Sequence, residues 1–220
     1  FLRLQLTRET VKQAVSNQRF TEKSEYKILL TKTPSVVGIE NFFDLFPHAY
    51  LILIIRDGRA VVESGVRTFD WNYEDTMRKW RAGAHAIIDL KEKLQNSNKK
   101  FLIVKYEDLF MDEKSELLKI FTFLGIDPGL FDFDRAKSLG VTGSSETRKQ
   151  TDAVHWQVTE KGKDFNPLAR FSDWDRTKHE RFNWIAGRYM SRLGYDMEAI
   201  SSNRYLYVIR NSCLDLKWIL

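Results

Sequence analysis

Leu51–Arg67 reads LILIIRDGRAVVESGVR. Five aliphatic residues run into Arg56, an Asp57-Gly58 pair breaks the run, and a helical pattern opens near Arg59. A short continuous apolar run rich in branched side chains is the mark of a strand buried on both faces, as parallel sheets require. Asp-Gly is turn chemistry, and Gly58 lets a neighbouring group approach the backbone closely. Arg56 therefore stands where a strand delivers its last side chain into the crevice beyond the sheet. Ser64 lies five residues past Arg59, about 7.5 Å along a helix axis at 1.5 Å per residue. A guanidinium fork, a hydroxyl and N–H groups at a helix N-terminus make an anion site suited to phosphate. The same residues also fit an ordinary strand–turn–helix whose arginine pairs with a surface carboxylate.

Outward from this stretch the chain repeats the alternation. Tyr26–Thr31 (YKILLT) and Phe101–Tyr106 (FLIVKY) read as further strands, with Ala49–Ile55 as the middle one. Between and after them lie helical patterns. Met77, Trp80, Ala84, Ile87, Ile88 and Leu94 fall mostly at three- and four-residue steps and predict an amphipathic helix from about Tyr73 to Gln95. A second is predicted over Asp112–Leu124, with acidic residues in its first turn, Gly125 past its end and Pro128 beyond. A third carries Phe182, Ile185, Ala186, Tyr189, Met190 and Leu193 on one face and stops at Gly194. Strands alternating with helices predict an α/β fold with a parallel sheet and right-handed crossovers.

Composition narrows the function. The 220 residues are 43% hydrophobic and 13% aromatic, enough for a sizeable core, and length favours one domain. Net charge is +5, which suits an anionic ligand and falls short of a nucleic-acid wrapper. The single cysteine, Cys213, excludes an intrachain disulfide framework and a zinc site of several thiolates. His48, His85, His155 and His179 are scattered, so no metal is expected. Ser64 is not in a G-x-S-x-G elbow, because Val62 stands two residues before it. The longest apolar run, Ala49–Ile55, is far short of the roughly 20 residues that span a bilayer. The chain has no initiator Met and stops in mid-pattern, which reads as a fragment with material missing at one or both ends.

IIRDGRAVVES resembles the 3′-phosphate-binding element of sulfotransferases, which take the sulfuryl group of 3′-phosphoadenosine 5′-phosphosulfate (PAPS). Further pieces follow the family's order. TKTP (Thr31–Pro34) resembles the segment after the preceding strand, and DLFPHAYLILIIRDGR (Asp44–Arg59) its LFP-to-RDGR run. VKYEDL (Val104–Leu109) resembles its strand ending in Tyr-Glu. RFNWIAGRYMSRLGYD (Arg181–Asp196) is similar to the last helix of bacterial members. The likeness covers about residues 27–196 and is nearest the tyrosylprotein and bacterial branch.

The resemblance implies a single domain over 1–220 of three-layer, P-loop-NTPase-like α/β architecture with a central parallel sheet. It implies transfer from PAPS to an acceptor hydroxyl of a tyrosine, a carbohydrate or a small alcohol, releasing 3′,5′-bisphosphoadenosine, with no metal. Arg56 and Ser64 match the positions holding the 3′-phosphate, and Tyr106 matches a donor-contacting tyrosine. Lys32 matches the lysine that neutralises charge on the departing phosphate oxygen. Arg67 lies one position from another phosphate-contacting arginine. SSETRKQTDAVHWQVT (Ser144–Thr159) resembles a donor-covering loop, with Arg148 and Thr151 as contacts, though Gln150 stands where the branch has a serine. Arg170 and Ser172 fall near a further donor contact.

The family's N-terminal Gly-rich loop that cradles the 5′-phosphosulfate has no counterpart here. Glu9 resembles the context of the branch's general base. The partner expected is a hydroxyl-bearing acceptor, with no nucleic acid and no membrane segment. A bacterial cytoplasm is the expected setting, or a Golgi lumen if an anchor has been removed. A nucleotide-dependent phosphoryl transferase and a non-catalytic anion- or nucleotide-binding remnant remain alternatives.

Overall fold

Tyr50–Ile55 forms strand β1 and Lys100–Lys105 forms β2. They run parallel in unbroken register from Tyr50 opposite Lys100 to Ile55 opposite Lys105. These strands belong to a computed structural model that describes residues 30–33, 35–138, 141–142, 158–159, 166, 168–199 and 203–218. Parallel strands need a long crossover, and two helices supply it: α2 (Gly58–Phe69) and α3 (Tyr73–Leu94). A short helix α1 (Phe42–Leu45) precedes β1. After β2 come α4 (Tyr106–Met111), α5 (Glu113–Leu124) and α6 (Phe133–Ser138), then the two-residue antiparallel strands β3 (Val141–Thr142) and β4 (Val158–Thr159). Helices α7 (Arg176–Arg192) and α8 (Arg204–Asp215) follow.

The longer helices begin where short polar side chains can take the first amides. Asn72 accepts from the amides of Glu74 and Asp75 at the start of α3. Asp112 caps α5 through Ser115 N, and Asp175 caps α7 through Lys178 N. Each cap contributes about 1 kcal/mol. Helix α7 ends before Gly194, whose φ of 75° is a left-handed conformation that glycine adopts without penalty.

Helix α3 separates two apolar clusters. Toward the sheet, Ile87, Leu90 and Leu94 pack with Leu53, Ile55, Ile39 and Phe43. Toward the other helices, Met77 joins Val62 of α2 and Phe182, Ile185, Ala186 and Met190 of α7. The α/β fold and parallel pairing thus follow the sequence reading. No described helix is long and apolar enough to cross a membrane.

Three expectations change. Among the described residues strand β1 is unevenly covered: Leu53 and Ile55 are buried, whereas Ile54 is 59% exposed. The predicted strand Phe101–Tyr106 shifts to Lys100–Lys105, because the chain turns at Tyr106 and begins α4 there, stabilised by Glu107 and Asp108 in the first turn. Of the predicted strand Tyr26–Thr31, residues 26–29 lie outside the described residues, and Leu30 and Thr31 are exposed and in no strand.

Candidate functional site

Arg56 follows the last residue of β1, at the carboxyl edge of the parallel pair. Its guanidinium lies over the ring of Tyr106, with Cζ 4.6 Å from the centroid. Tyr106 itself is the first residue beyond β2, so the two parallel strands deliver this pair side by side. Burial pulls the Arg56 pKa below the ordinary arginine value; Arg170 adds to this, while Tyr106 and the Glu107 and Asp57 carboxylates oppose it.

The peptide unit joining Arg56 to Asp57 is held at both edges. Trp80 Nε1 donates to the Arg56 carbonyl at 3.3 Å, and the Asp57 amide donates to Glu107 Oε1 at 2.9 Å. Gly58 then opens α2 against the rings of Trp80 and Phe182; a Cβ there would stand 2.6 Å from each.

Asp57 corrects one expectation. The start of α2 is not an open anion cradle, because the Asp57 carboxylate accepts from the Arg59 amide at 2.8 Å. Its other oxygen pairs with the Arg59 guanidinium at 2.6 Å. The carboxylate already complements the helix dipole and repels a second anion. A phosphate here has to be gripped by side chains. Arg59 is also spoken for: it donates to the Asp196 carbonyl at 2.9 Å and lies over the Phe171 ring at 4.3 Å. The two arginines of RDGR therefore divide, Arg56 to the strand edge over Tyr106 and Arg59 to the scaffold.

Ser64 sits half-buried on α2. Beside it Glu63 is buried and accepts three hydrogen bonds: from Trp174 Nε1 at 2.6 Å, the Tyr73 hydroxyl at 2.7 Å and Arg67 Nε at 2.5 Å. Burial pushes the Glu63 carboxyl up, but these donors outweigh it and hold the pKa below the usual value. Arg67 also reaches Asp173 at 3.3 Å, so its guanidinium is committed to two carboxylates. Lys32 is exposed, in the loop before Ile39. Glu9, Arg148 and Thr151 lie outside the described residues, as do Pro34 and Gln150.

Sequence reasoning missed Glu107 and Tyr195. Glu107 Oε2 accepts from the Tyr195 hydroxyl at 2.9 Å while Oε1 holds the Asp57 amide. Both residues stand in pieces already quoted, Tyr-Glu-Asp and Leu-Gly-Tyr. Nothing in the order of residues signals that the two pieces meet.

An aromatic-backed arginine at the carboxyl edge of parallel strands is chemistry that can receive an anion. The particular class follows from comparison: the model for the sulfotransferase family matches residues 2–130, and the chain belongs to that family. It is similar to protein-tyrosine sulfotransferase A of Caenorhabditis elegans, 36% identical over 90 residues, 38% of this chain and 23% of the relative. Protein-tyrosine sulfotransferase 1 of Danio rerio is 28% identical over 169 residues, 72% of this chain and 45% of the relative. The protein-tyrosine sulfotransferase of Drosophila melanogaster is 31% identical over 107 residues, 44% of this chain and 21% of the relative. The chain spans less than half the length of these curated relatives. All three come from animals and give no support to the expected bacterial cytoplasmic setting.

Proposed function

We propose that this chain carries the donor-binding part of a PAPS-dependent sulfotransferase and that the whole protein sulfates a hydroxyl. The names of the relatives favour a tyrosyl hydroxyl of a protein as acceptor, and the proposed setting is the Golgi lumen. The proposal includes one domain over 1–220 with the three-layer, P-loop-like architecture of the family.

Arg56 and Ser64 take the 3′-phosphate, and Tyr106 backs the guanidinium and meets the nucleotide. Arg148 and Thr151 are further donor contacts, and Arg67 joins them by exchanging its Asp173 partner for a donor phosphate. In the reaction the acceptor oxygen bonds to sulfur as the bond from sulfur to the bridging phosphate oxygen breaks. Lys32 neutralises the charge that develops on that oxygen, and the acceptor proton passes to a carboxylate, for which Glu9 is the candidate. A cation placed where charge appears lowers the barrier without reorganising at the moment of reaction.

The observation that carries the reading is the Arg56 guanidinium, aimed from the parallel strands' carboxyl edge and seated on Tyr106 in a chain of this family. Calorimetry on the full-length protein tests it with two ligands, 3′,5′-bisphosphoadenosine and 5′-AMP, which lacks the 3′-phosphate. Arg56→Ala should weaken the bisphosphate about 100-fold, the loss of a charge-assisted fork worth about 3 kcal/mol, and leave 5′-AMP unchanged. Unchanged affinity for the bisphosphate would overturn the reading.

A further inference from the structure

Resting on that donor reading, we infer that Glu107 and Tyr195 are positioning residues for the 3′-phosphate grip, acting through the Arg56–Asp57 peptide. That peptide sets the direction in which the Arg56 side chain leaves the strand. Its carbonyl edge is held by Trp80 and its amide edge by Glu107 Oε1. Residues 106 and 107 thus grip residues 56 and 57 together, the Tyr106 ring on the guanidinium and the Glu107 carboxylate on the backbone.

A carboxylate on a single amide can swing about its own side-chain torsions. Glu107 is denied that freedom, because its second oxygen receives the Tyr195 hydroxyl at 2.9 Å. Tyr195 is fixed in turn: Lys105 Nζ donates to the Gly194 carbonyl at 2.6 Å and lies 4.6 Å from the centre of the Tyr195 ring. Burial and the adjacent Glu107 push the Tyr195 hydroxyl far above its ordinary pKa, so it stays a donor at any physiological pH. A run of contacts therefore leads from the segment after α7, through Glu107, to the arginine that receives the anion. Binding groups must be held within about half an ångström of productive geometry, and displacements of that order are costly. Neither residue needs to touch the donor for this.

The test is calorimetry with 3′,5′-bisphosphoadenosine and 5′-AMP on the full-length protein and three variants: Glu107→Gln, Tyr195→Phe and the double variant. Glu107→Gln should weaken the bisphosphate about tenfold, as expected for one hydrogen bond to a charged group, and Tyr195→Phe about threefold to fivefold. Both should leave 5′-AMP unchanged, which a general loss of structure would not do. The double variant should lose no more than Glu107→Gln alone, since both act through one carboxylate. Equal losses for the two ligands, additive losses, or none would overturn the inference. Should Glu107→Gln fail to fold, Tyr195→Phe removes a single hydroxyl and decides the matter by its ligand selectivity. If Arg56→Ala spares bisphosphate binding, the donor reading falls instead; if Arg56→Ala abolishes it and these variants do not, only the positioning role falls.

Discussion

A methyl group at position 58 would stand 2.6 Å from both Trp80 and Phe182, closer than any real Cβ contact. Neither ring can give way easily, since Trp80 holds the Arg56 carbonyl and Phe182 is fully buried. Gly58→Ala should therefore destabilise by about 1–3 kcal/mol through overpacking, read as a lower urea midpoint with unchanged slope. Tyr73 offers a second test at this scale. Burial and its bond to Glu63 push its hydroxyl up to about 12 from an ordinary 10. A pKa raised by folding means stability present in full below pH 10 and lost as pH climbs through 12. Alkaline denaturation should show a drop in that window, and Tyr73→Phe should shrink it.

Among the elements, helices were more legible than strands. The run from Met77 to Leu94 located α3 because one apolar stripe serves two clusters, and turn chemistry at Asp112 and Gly125 fixed the ends of α5. Arg56 was legible because a strand and a turn bracket it in sequence. What stayed hidden was pairing across the chain: Glu63 with Trp174, 111 residues away, and Glu107 with Tyr195, 88 residues away. Such contacts leave no periodic trace and depend on how helices dock. The exposure of Ile54 was equally hidden, since an apolar run looks the same whether one face or two are covered. Glu63 ties α2 to the start of α3 and to the loop before α7 at once. Glu63→Gln keeps the shape but weakens all three acceptances, and should cost about 2–4 kcal/mol in chemical denaturation.

Across the whole molecule, the C-terminal helix α8 is fastened by charge. Arg181 on α7 is buried and binds Glu74 on α3, Asp215 at 2.7 Å and the Asn211 carbonyl at 3.2 Å. Asp215 also receives Arg78 at 2.6 Å and Trp184 Nε1 at 2.7 Å. Burial raises the Asp215 pKa, but its donors outweigh this and lower it to about 2 from 3.8. A pKa depressed by folding contributes stability that is present above pH 3.8 and lost as pH falls toward 2. Asp215→Asn should cost about 1–2 kcal/mol at neutral pH, discounted for partial exposure, and flatten the acid limb of a pH–stability profile.

Arg59, which anchors the turn beside the candidate anion site, closes on the carbonyl of Asp196 from 137 positions upstream. During synthesis on a ribosome the turn emerges long before its anchor does. Contacts of such separation are made late, because the intervening chain must first be gathered in. A nascent chain that stopped at residue 190 would hold the β1–β2 pair and most of α7, yet lack the Asp196 carbonyl on which Arg59 closes. The turn that follows Arg56 is in this sense steadied only once residue 196 has been made.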